Sequence, residues 1–489
     1  MILGFCVPLL ALVIVQAKAG DILDDYSWSV INTVHDDRLM QKVNTSLCNL
    51  VDCTENKWFM GENLKATRLL LRNIIYTPNL EHIISGADGG ISLLTWQGKM
   101  IVYLGDEHGN AASSNCDIVR ECNDAITLLT DTDGLQNGVD ARILMDDQDP
   151  SKFRPLNIPG IHSSHPLGPN LDIDDFGPFS YATGVERGFI YTEDSPEYKT
   201  SLQHYMWYTV AVNTDNPQSF ITCSQDGIEF GACPQPETHT TDLPPARFFS
   251  DDKFIIVSPV AFGPYEWEVI NENDSCTLCK LKPLLTEYWF GYSQGMLVFA
   301  TGGGKRNQSA VDGGYRESPL YLAYLELHSL KVWYFAGDGW STKESEAVPI
   351  LTYEGKPPAE QKKYWFGEIS VKMVLAHEVE DTYLVLLSNH DNRRVYYRTA
   401  PLLQPDVWSD PQCTCGIGYG PYILDPSIRI EKGSPDRLNL YHTIVAWNGN
   451  QRRILQEPYG VFTTQLRLRQ DPTDPDSACG EAPIWPPQP

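Results

Sequence analysis

The stretch ISLLTWQGKMIVYLGD, residues 91–106, sets the fold class. It holds two short apolar runs, at 91–94 and 100–104, on either side of a polar turn that contains Gln97-Gly98. Short runs of apolar, β-branched and aromatic residues that flank a glycine turn are typical of two strands in a β-hairpin. We therefore predict a hairpin that turns at Gln97-Gly98.

Similar runs recur along the chain, separated by Gly, Asn, Asp and Pro turns. Examples are MWYTVAVN (206–213), KFIIVSPVAF (253–262), MLVFATGG (296–303), TYLVLLSN (382–389) and LNLYHTIVAW (438–447). Their order indicates five units, at 83–135, 175–245, 250–345, 364–412 and 418–468. Five units over 83–468 amount to one unit of four strands in roughly 70–80 residues, on average, which favours an all-β fold, a five-bladed β-propeller that spans 83–468. Its functional residues are expected at the starts of the inner strands and at loop tips around the axis.

The chain ends differ from this repeating part. An apolar run at 2–16 followed by Ala17-Lys18-Ala19 predicts a signal peptide at 1–19, hence a secreted protein, with a signal anchor as the alternative. Residues 20–82 form a partly helical N-terminal extension, with helical periodicity at 57–75; a pro-segment is the alternative. Residues 469–489 are a Pro-rich tail.

Charge and cysteine content narrow the function classes. The chain has 63 acidic and 37 basic residues, a net charge of −26, which disfavours binding to nucleic acid or to an anionic membrane surface. No run after the signal peptide is long and apolar enough for a membrane span. Twelve cysteines, most of them in close pairs, fit an oxidising compartment. Cys276-Thr-Leu-Cys279 has zinc-site spacing, but with no second half we predict a disulfide there.

Two aspartates stand between glycines at strand ends. Asp88 precedes the first strand of the predicted hairpin and Asp106 follows the second. The hairpin would return both carboxyl groups to one end of the propeller axis, where paired carboxylates are the equipment for glycosidic bond cleavage. The alternative is that both are turn residues, since Asp-Gly is a common turn dipeptide.

Several segments resemble one known family. Asp88-Gly-Gly and Leu-Gly-Asp106 resemble the opening "TD-G … FGD" signature of the domain-of-unknown-function 4185 family, which is grouped with glycoside hydrolase family 183. Further resemblances follow in the same order: GGYRESPLYLA (313–323), FGEISV (366–371), YRTA (397–400) with VWS (407–409), and YGPY (419–422) with YGVF (459–462). Together they span about 83–468.

The resemblance implies a five-bladed propeller that acts as an endo-D-arabinanase on a furanosidic polysaccharide. It also implies that Asp88 and Asp106 are the catalytic pair. The sequence departs from the family pattern at Ala87, where Thr is usual, and at Glu107-His108. These departures alter the rim of the pocket, so the substrate is open.

Four further residues are candidates for substrate binding. Glu368 opens an apparent inner strand and would be a third central carboxylate or a structural acceptor. Arg316 offers a fixed fork of donors for a sugar hydroxyl, or forms a salt bridge between blades. His108 adjoins Asp106, and Tyr321 lies in the segment that contains Arg316.

The sequence thus predicts a secreted glycoside hydrolase with a polysaccharide or oligosaccharide substrate and no cofactor. No nucleic-acid partner is expected. Two alternatives belong to other classes: a lectin-like propeller that binds carbohydrate without cleaving it, and a structural or interaction protein of the cell surface.

Overall fold

The computed structural model describes a set of strands with their turns and a few short helices. The described residues are 28–32, 84–109, 125–129, 141–148, 154, 156, 158, 180–192, 199–210, 217–233, 246–270, 276–285, 287–288, 291–292, 294–302, 318–357, 361, 364, 366–374, 382–389, 394–417, 419–424, 429–430, 437–447 and 459–469. The predicted signal peptide, the helix at 57–75 and residues 470–489 lie outside them. Among the described residues no helix is long and apolar enough to cross a membrane.

Antiparallel sheets dominate. The first sheet has the strand order β1-β5-β4-β3-β2 and contains β1 (Trp28–Asn32), β2 (Ile84–Leu94), β3 (Met100–Gly109), β4 (Ala125–Leu129) and β5 (Ala141–Leu144). The second sheet has its strands in sequence order: β6 (Ser180–Thr192), β7 (Lys199–Val210), β8 (Gln218–Ser224) and β9 (Arg247–Ser250).

The later strands form three larger sheets and one two-stranded ribbon. They are β10 (Ile256–Phe262), β11 (Glu287–Tyr288), β12 (Gly291–Tyr292), β13 (Gly295–Thr301), β14 (Leu320–Glu326), β15 (Lys331–Phe335), β16 (Trp340–Ser341), β17 (Ile369–Val374), β18 (Tyr383–Asn389), β19 (Arg394–Pro401), β20 (Gln412–Ile417), β21 (Tyr419–Ile423), β22 (Arg429–Ile430), β23 (Arg437–Trp447) and β24 (Tyr459–Arg469). The third sheet has the order β10-β13-β14-β15-β16, with β11-β12 as the ribbon. The fourth runs β17-β18-β19-β20; in the fifth, β23 pairs with β21, β22 and β24.

In the described part of the chain, two short α-helices lie between β10 and β13. Helix α1 (Pro264–Val269) and helix α2 (Thr277–Leu281) are short, and 3₁₀ turns follow at Lys282–Leu284 and Glu344–Glu346. Cys276 and Cys279 form a disulfide at the start of α2, as predicted, and Cys223–Cys233 is a second.

One edge strand of each larger sheet belongs to a closed ring. Strand β2 contacts β6, β6 contacts β10, β10 contacts β17, β17 contacts β21, and β21 contacts β2 again. We call β2, β6, β10, β17 and β21 the ring strands and the space they enclose the lumen. Sheets that radiate from such a ring make an all-β propeller.

Hydroxyl side chains join neighbouring ring strands at four of the five junctions. Three hydroxyls accept a backbone N–H: Thr183 from Val257 (3.4 Å), Ser258 from Val371 (2.8 Å) and Ser370 from Ile423 (2.9 Å). At the fourth junction Ser92 Oγ donates to the carbonyl oxygen of Ile423 at 3.2 Å. We call Ser92, Thr183, Ser258 and Ser370 the hydroxyl belt.

Apolar clusters fill the spaces between successive sheets. Along β7, Met206 and Tyr208 pack against the first sheet, whereas Tyr205 and Trp207 pack against the third. Successive side chains of a strand point to opposite faces, so a strand covered on both faces is apolar throughout. This explains why runs such as MWYTV lack a polar alternation.

The predicted unit boundaries need correction at three places. The first sheet extends to Leu144 rather than to 135, the second to Ser250 rather than to 245, and the fourth to Ile417 rather than to 412. In addition, β1 comes from the predicted N-terminal extension and pairs with β5 at the outer edge of the first sheet. The reason is that outer strands are short and follow long insertions, so their sequence pattern is weak.

We expect Gly184→Ala to destabilise the fold, because β6 and β10 approach closely at this glycine. A Cβ at position 184 would lie 2.3 Å from the carbonyl oxygen of Val257. Overpacking of this kind costs about 1–3 kcal/mol of unfolding free energy. Gly339→Ala is the control, since a Cβ there meets nothing within 4 Å. Equal unfolding midpoints for the two variants in a denaturant titration would contradict the close approach.

Candidate functional site

The β2–β3 hairpin brings the two candidate aspartates together in the backbone. Strand β2 pairs with β3 so that Asp88 lies opposite Gly105, one residue before Asp106. The predicted turn is present, with the Thr95 N–H bonded to Lys99 O at 2.8 Å and the Gly98 N–H bonded to Thr95 O at 3.0 Å. The predicted hairpin is therefore confirmed.

Irregular pairing surrounds Asp88. The register shifts between Ile84 and Gly86, between Gly86 and Asp88, and between Gly89 and Ile91. Bulges leave a residue unpaired, bend the strand and are frequent next to active sites, where they redirect side chains. The glycines that made this segment noticeable in the sequence thus permit a distorted ring strand, with Gly90 at a φ of 106°.

The other predicted site residues lie at different places. The backbone of His108 is in β3, opposite Gly86, so it belongs to the same end of the hairpin. Arg316 lies outside the described residues. Tyr321 is on β14, two strands away from the ring strand of its sheet. Its half-buried ring packs near Phe254 and under the ammonium group of Lys253, 5.7 Å from the ring centre.

Glu368 directly precedes ring strand β17 and is buried. The residues before it are tied to the third sheet. The Phe366 N–H donates to Ser318 O at 3.1 Å, and Thr301 Oγ1 donates to Gly367 O at 3.2 Å. The backbone that carries Glu368 is therefore fixed at the start of its ring strand, as expected for an inner-strand carboxylate.

The hydroxyl belt separates two groups of charged residues. Asp88 and Glu368 precede the belt residue of their strands, Ser92 and Ser370. We call this the near side of the lumen. Because the ring strands start on this side, the paired aspartates and Glu368 belong to the same mouth of the propeller.

On the far side, an ion pair that the sequence analysis missed crosses the lumen. Lys372 Nζ lies 3.3 Å from Glu186 Oε2, and the two side chains are 10% and 12% exposed. Glu186 is on β6 and Lys372 on β17, with β10 between them in the ring. The only clue in the sequence is a charged residue inside an apolar strand.

A buried histidine lies between the first and second sheets. The His204 ring stacks on Trp96 with centroids 6.4 Å apart, and the Arg187 guanidinium lies 5.4 Å from the Trp96 ring centre. Within the described part of the chain, neither ring nitrogen of His204 has a hydrogen-bond partner. Burial lowers the pKa of His204 to about 4; nearby Asp226 raises it and Arg187 lowers it.

The turn 224–230 packs this second sheet onto the first. Asp226 Oδ1 accepts from Ser224 Oγ and from the N–H groups of Ile228 and Glu229, all within 2.9 Å. The Gly227 carbonyl accepts from Tyr103 Oη at 2.6 Å. The segment therefore closes a turn and joins two sheets.

The described residues contain no group of three or more His, Cys, Asp or Glu side chains that could hold a metal ion. The sequence expectation of no cofactor remains a prediction.

No protein-family model matches the chain, and no curated protein matches it. Among solved structures, it is similar to a GH43 β-xylosidase/α-arabinofuranosidase from a compost microbial metagenome, with 10% identity, a TM-score of 0.34 and coverage of 80% of this chain and 92% of that one. It is also similar to a GH43_1 enzyme from Xanthomonas citri, with 11% identity, a TM-score of 0.32 and coverage of 84% and 97%.

We expect acid to destabilise the fold through His204. Between about pH 6.5 and 4 the unfolded chain binds a proton at this residue and the folded chain does not, so the unfolding free energy falls as pH falls. The loss amounts to about 3 kcal/mol over that interval. His204→Phe keeps a ring under Trp96 and should flatten this part of the stability–pH curve.

Urea titrations at pH 4.5 and 7 measure the difference. Tyr205→Phe is the control, because it removes a neighbouring buried hydroxyl that has no hydrogen-bond partner among the described residues. Its stability should keep the pH dependence of the parent protein. An unchanged pH dependence in His204→Phe would show that other groups cause the acid sensitivity.

Proposed function

We propose that this protein is a secreted glycoside hydrolase, and that each of its five large sheets is one blade of a five-bladed propeller. The observation that carries the proposal is the register of β2 and β3, which places Asp88 opposite Gly105 and next to Asp106. Two carboxyl groups at one mouth of a propeller are the minimum for cleaving a glycosidic bond.

The chemistry divides between the two carboxyl groups. One, protonated, donates its proton to the leaving glycosidic oxygen as the bond to the anomeric carbon breaks. The other, ionised, attacks the anomeric carbon or takes a proton from the attacking water. Mutual repulsion between neighbouring carboxylates raises one pKa, which keeps one group protonated while the other is charged.

The substrate follows from the sequence resemblance to the domain-of-unknown-function 4185 family. We propose a furanosidic polysaccharide of the D-arabinan kind, with Glu368, His108 and Arg316 as candidate contacts to sugar hydroxyls. The braced backbone before Glu368 supports a role for this carboxylate at the same mouth.

A lectin-like propeller is the second candidate. Ala87 and Glu107-His108 depart from the family pattern directly beside the two aspartates. A site that keeps the sugar contacts and loses the proton-transfer geometry binds a glycan without cleaving it.

We expect Asp88→Asn and Asp106→Asn each to lower hydrolysis at least 1,000-fold, because each removes one of two groups that act as a unit. Product release is measured by chromatography after incubation with D-arabinan, L-arabinan, xylan and mannan. Asp338→Asn, in an exposed turn of the third sheet, is the control and should retain full activity.

The outcomes separate the candidates. Oligosaccharides from the parent protein and from Asp338→Asn, but from neither site variant, support the hydrolase. Activity that survives both site substitutions rejects the pair. Binding to a glycan without any release favours the lectin.

A further inference from the structure

The Glu186–Lys372 ion pair lies inside the ring rather than within one sheet. Its two residues are on ring strands that are separated by β10. A side-chain contact between non-neighbouring members of a closed ring has to pass through the enclosed space. The pair therefore crosses the lumen.

The pair lies on the far side of the hydroxyl belt. Glu186 follows Thr183 in β6 by three residues, and Lys372 follows Ser370 in β17 by two. Glu368 precedes Ser370 by two residues, so it is separated from Lys372 by about 13 Å of strand at about 3.3 Å per residue. The lumen is thus bounded by Glu368 and the aspartate pair at one end and by the ion pair at the other.

The second carboxylate oxygen of Glu186 is also held, because Oε1 accepts from the N–H of Arg187 at 3.0 Å. Both charged groups keep about a tenth of their surface exposed. An ammonium group has three donors and a carboxylate about four acceptor sites, so a sugar that reaches the pair meets donors and acceptors side by side.

From this geometry we propose that Glu186 and Lys372 form the floor of the propeller's substrate pocket, where they bind the hydroxyl groups of an uncharged sugar residue. The inference rests on the proposed carbohydrate site and adds to it a second contact zone. It also implies that the substrate approaches from the near side, since the pair crosses the lumen on the far side.

Charge identifies the class of sugar. Three acidic residues, Asp88, Asp106 and Glu368, have their backbone on the near side, and Lys372 on the far side forms an ion pair with Glu186. A uronic acid or another anionic sugar would meet these acidic residues at the mouth, and the lysine of the floor is already paired with Glu186. A neutral sugar carries no charge and is not repelled by these acidic residues.

The experiment separates binding from folding. Lys372→Met removes the ammonium group, and the exchange Glu186→Lys with Lys372→Glu restores an ion pair with donor and acceptor reversed. Thermal unfolding and the Kd for arabino-oligosaccharides prepared from D-arabinan are measured for both. Lys343→Met, which removes an exposed ion pair with Glu346, is the control.

We expect Lys372→Met to lower both the unfolding temperature and the affinity, with Kd raised at least tenfold. The exchange variant should regain the unfolding temperature and keep the weak affinity, because a reversed pair no longer matches the same hydroxyls. Should the exchange variant not fold, Lys372→Arg keeps the charge and should still raise Kd several-fold. The control should bind like the parent protein.

Three results would reject the assignment of Glu186 and Lys372 to the pocket floor. The first is affinity that returns together with stability in the exchange variant, and the second is an unchanged Kd in Lys372→Met. The third is that the parent protein does not bind the neutral probes. Tighter binding of an oligogalacturonide than of the neutral probe would overturn the substrate class. Binding without hydrolysis rejects only the proposed enzyme, since Kd still tests the floor.

Discussion

Closure of the ring is the constraint on which the rest of this structure depends. Five strands from distant parts of the sequence lie side by side around the axis. At four of the five junctions a side-chain hydroxyl bonds to the backbone of the neighbouring strand, in place of a ladder of backbone hydrogen bonds. Each such bond contributes about 1 kcal/mol on its own, but an unsatisfied buried N–H would cost about 1–3 kcal/mol. Small residues are therefore needed at the ring, as Gly184 shows: a Cβ there would collide with Val257 and Pro259.

Packing between the sheets supplies the larger part of the stability. Each of the described clusters draws on at least two sheets, so the described core lies between sheets. A strand between two such clusters therefore needs apolar residues on both faces. In β13, Met296 and Val298 pack toward the second sheet, and Leu297 and Phe299 pack toward the fourth. A propeller of this kind gains its stability only when neighbouring sheets are assembled.

The sequence was informative where a local rule applies. Apolar runs around Gln97-Gly98 predicted the first hairpin, and with it the neighbouring positions of Asp88 and Asp106 in the backbone. The ends of the units were predicted less well, because β5 and β9 have four residues each and follow long insertions. Contacts that span the ring, above all Glu186 with Lys372, depend on closure itself, and no local pattern encodes which strands will face each other.

The position of the charged residues now has a physical reason. A charge on a ring strand is costly between two packed sheets, where most neighbours are apolar, and much less costly in the lumen, where an opposite charge or water is available. Glu186 and Lys372 each find an opposite charge because they form an ion pair across the ring. Asp88 and Glu368 sit before the belt, at the mouth where the ring strands start. The fold thus brings two oppositely charged groups of its innermost strands together at the axis.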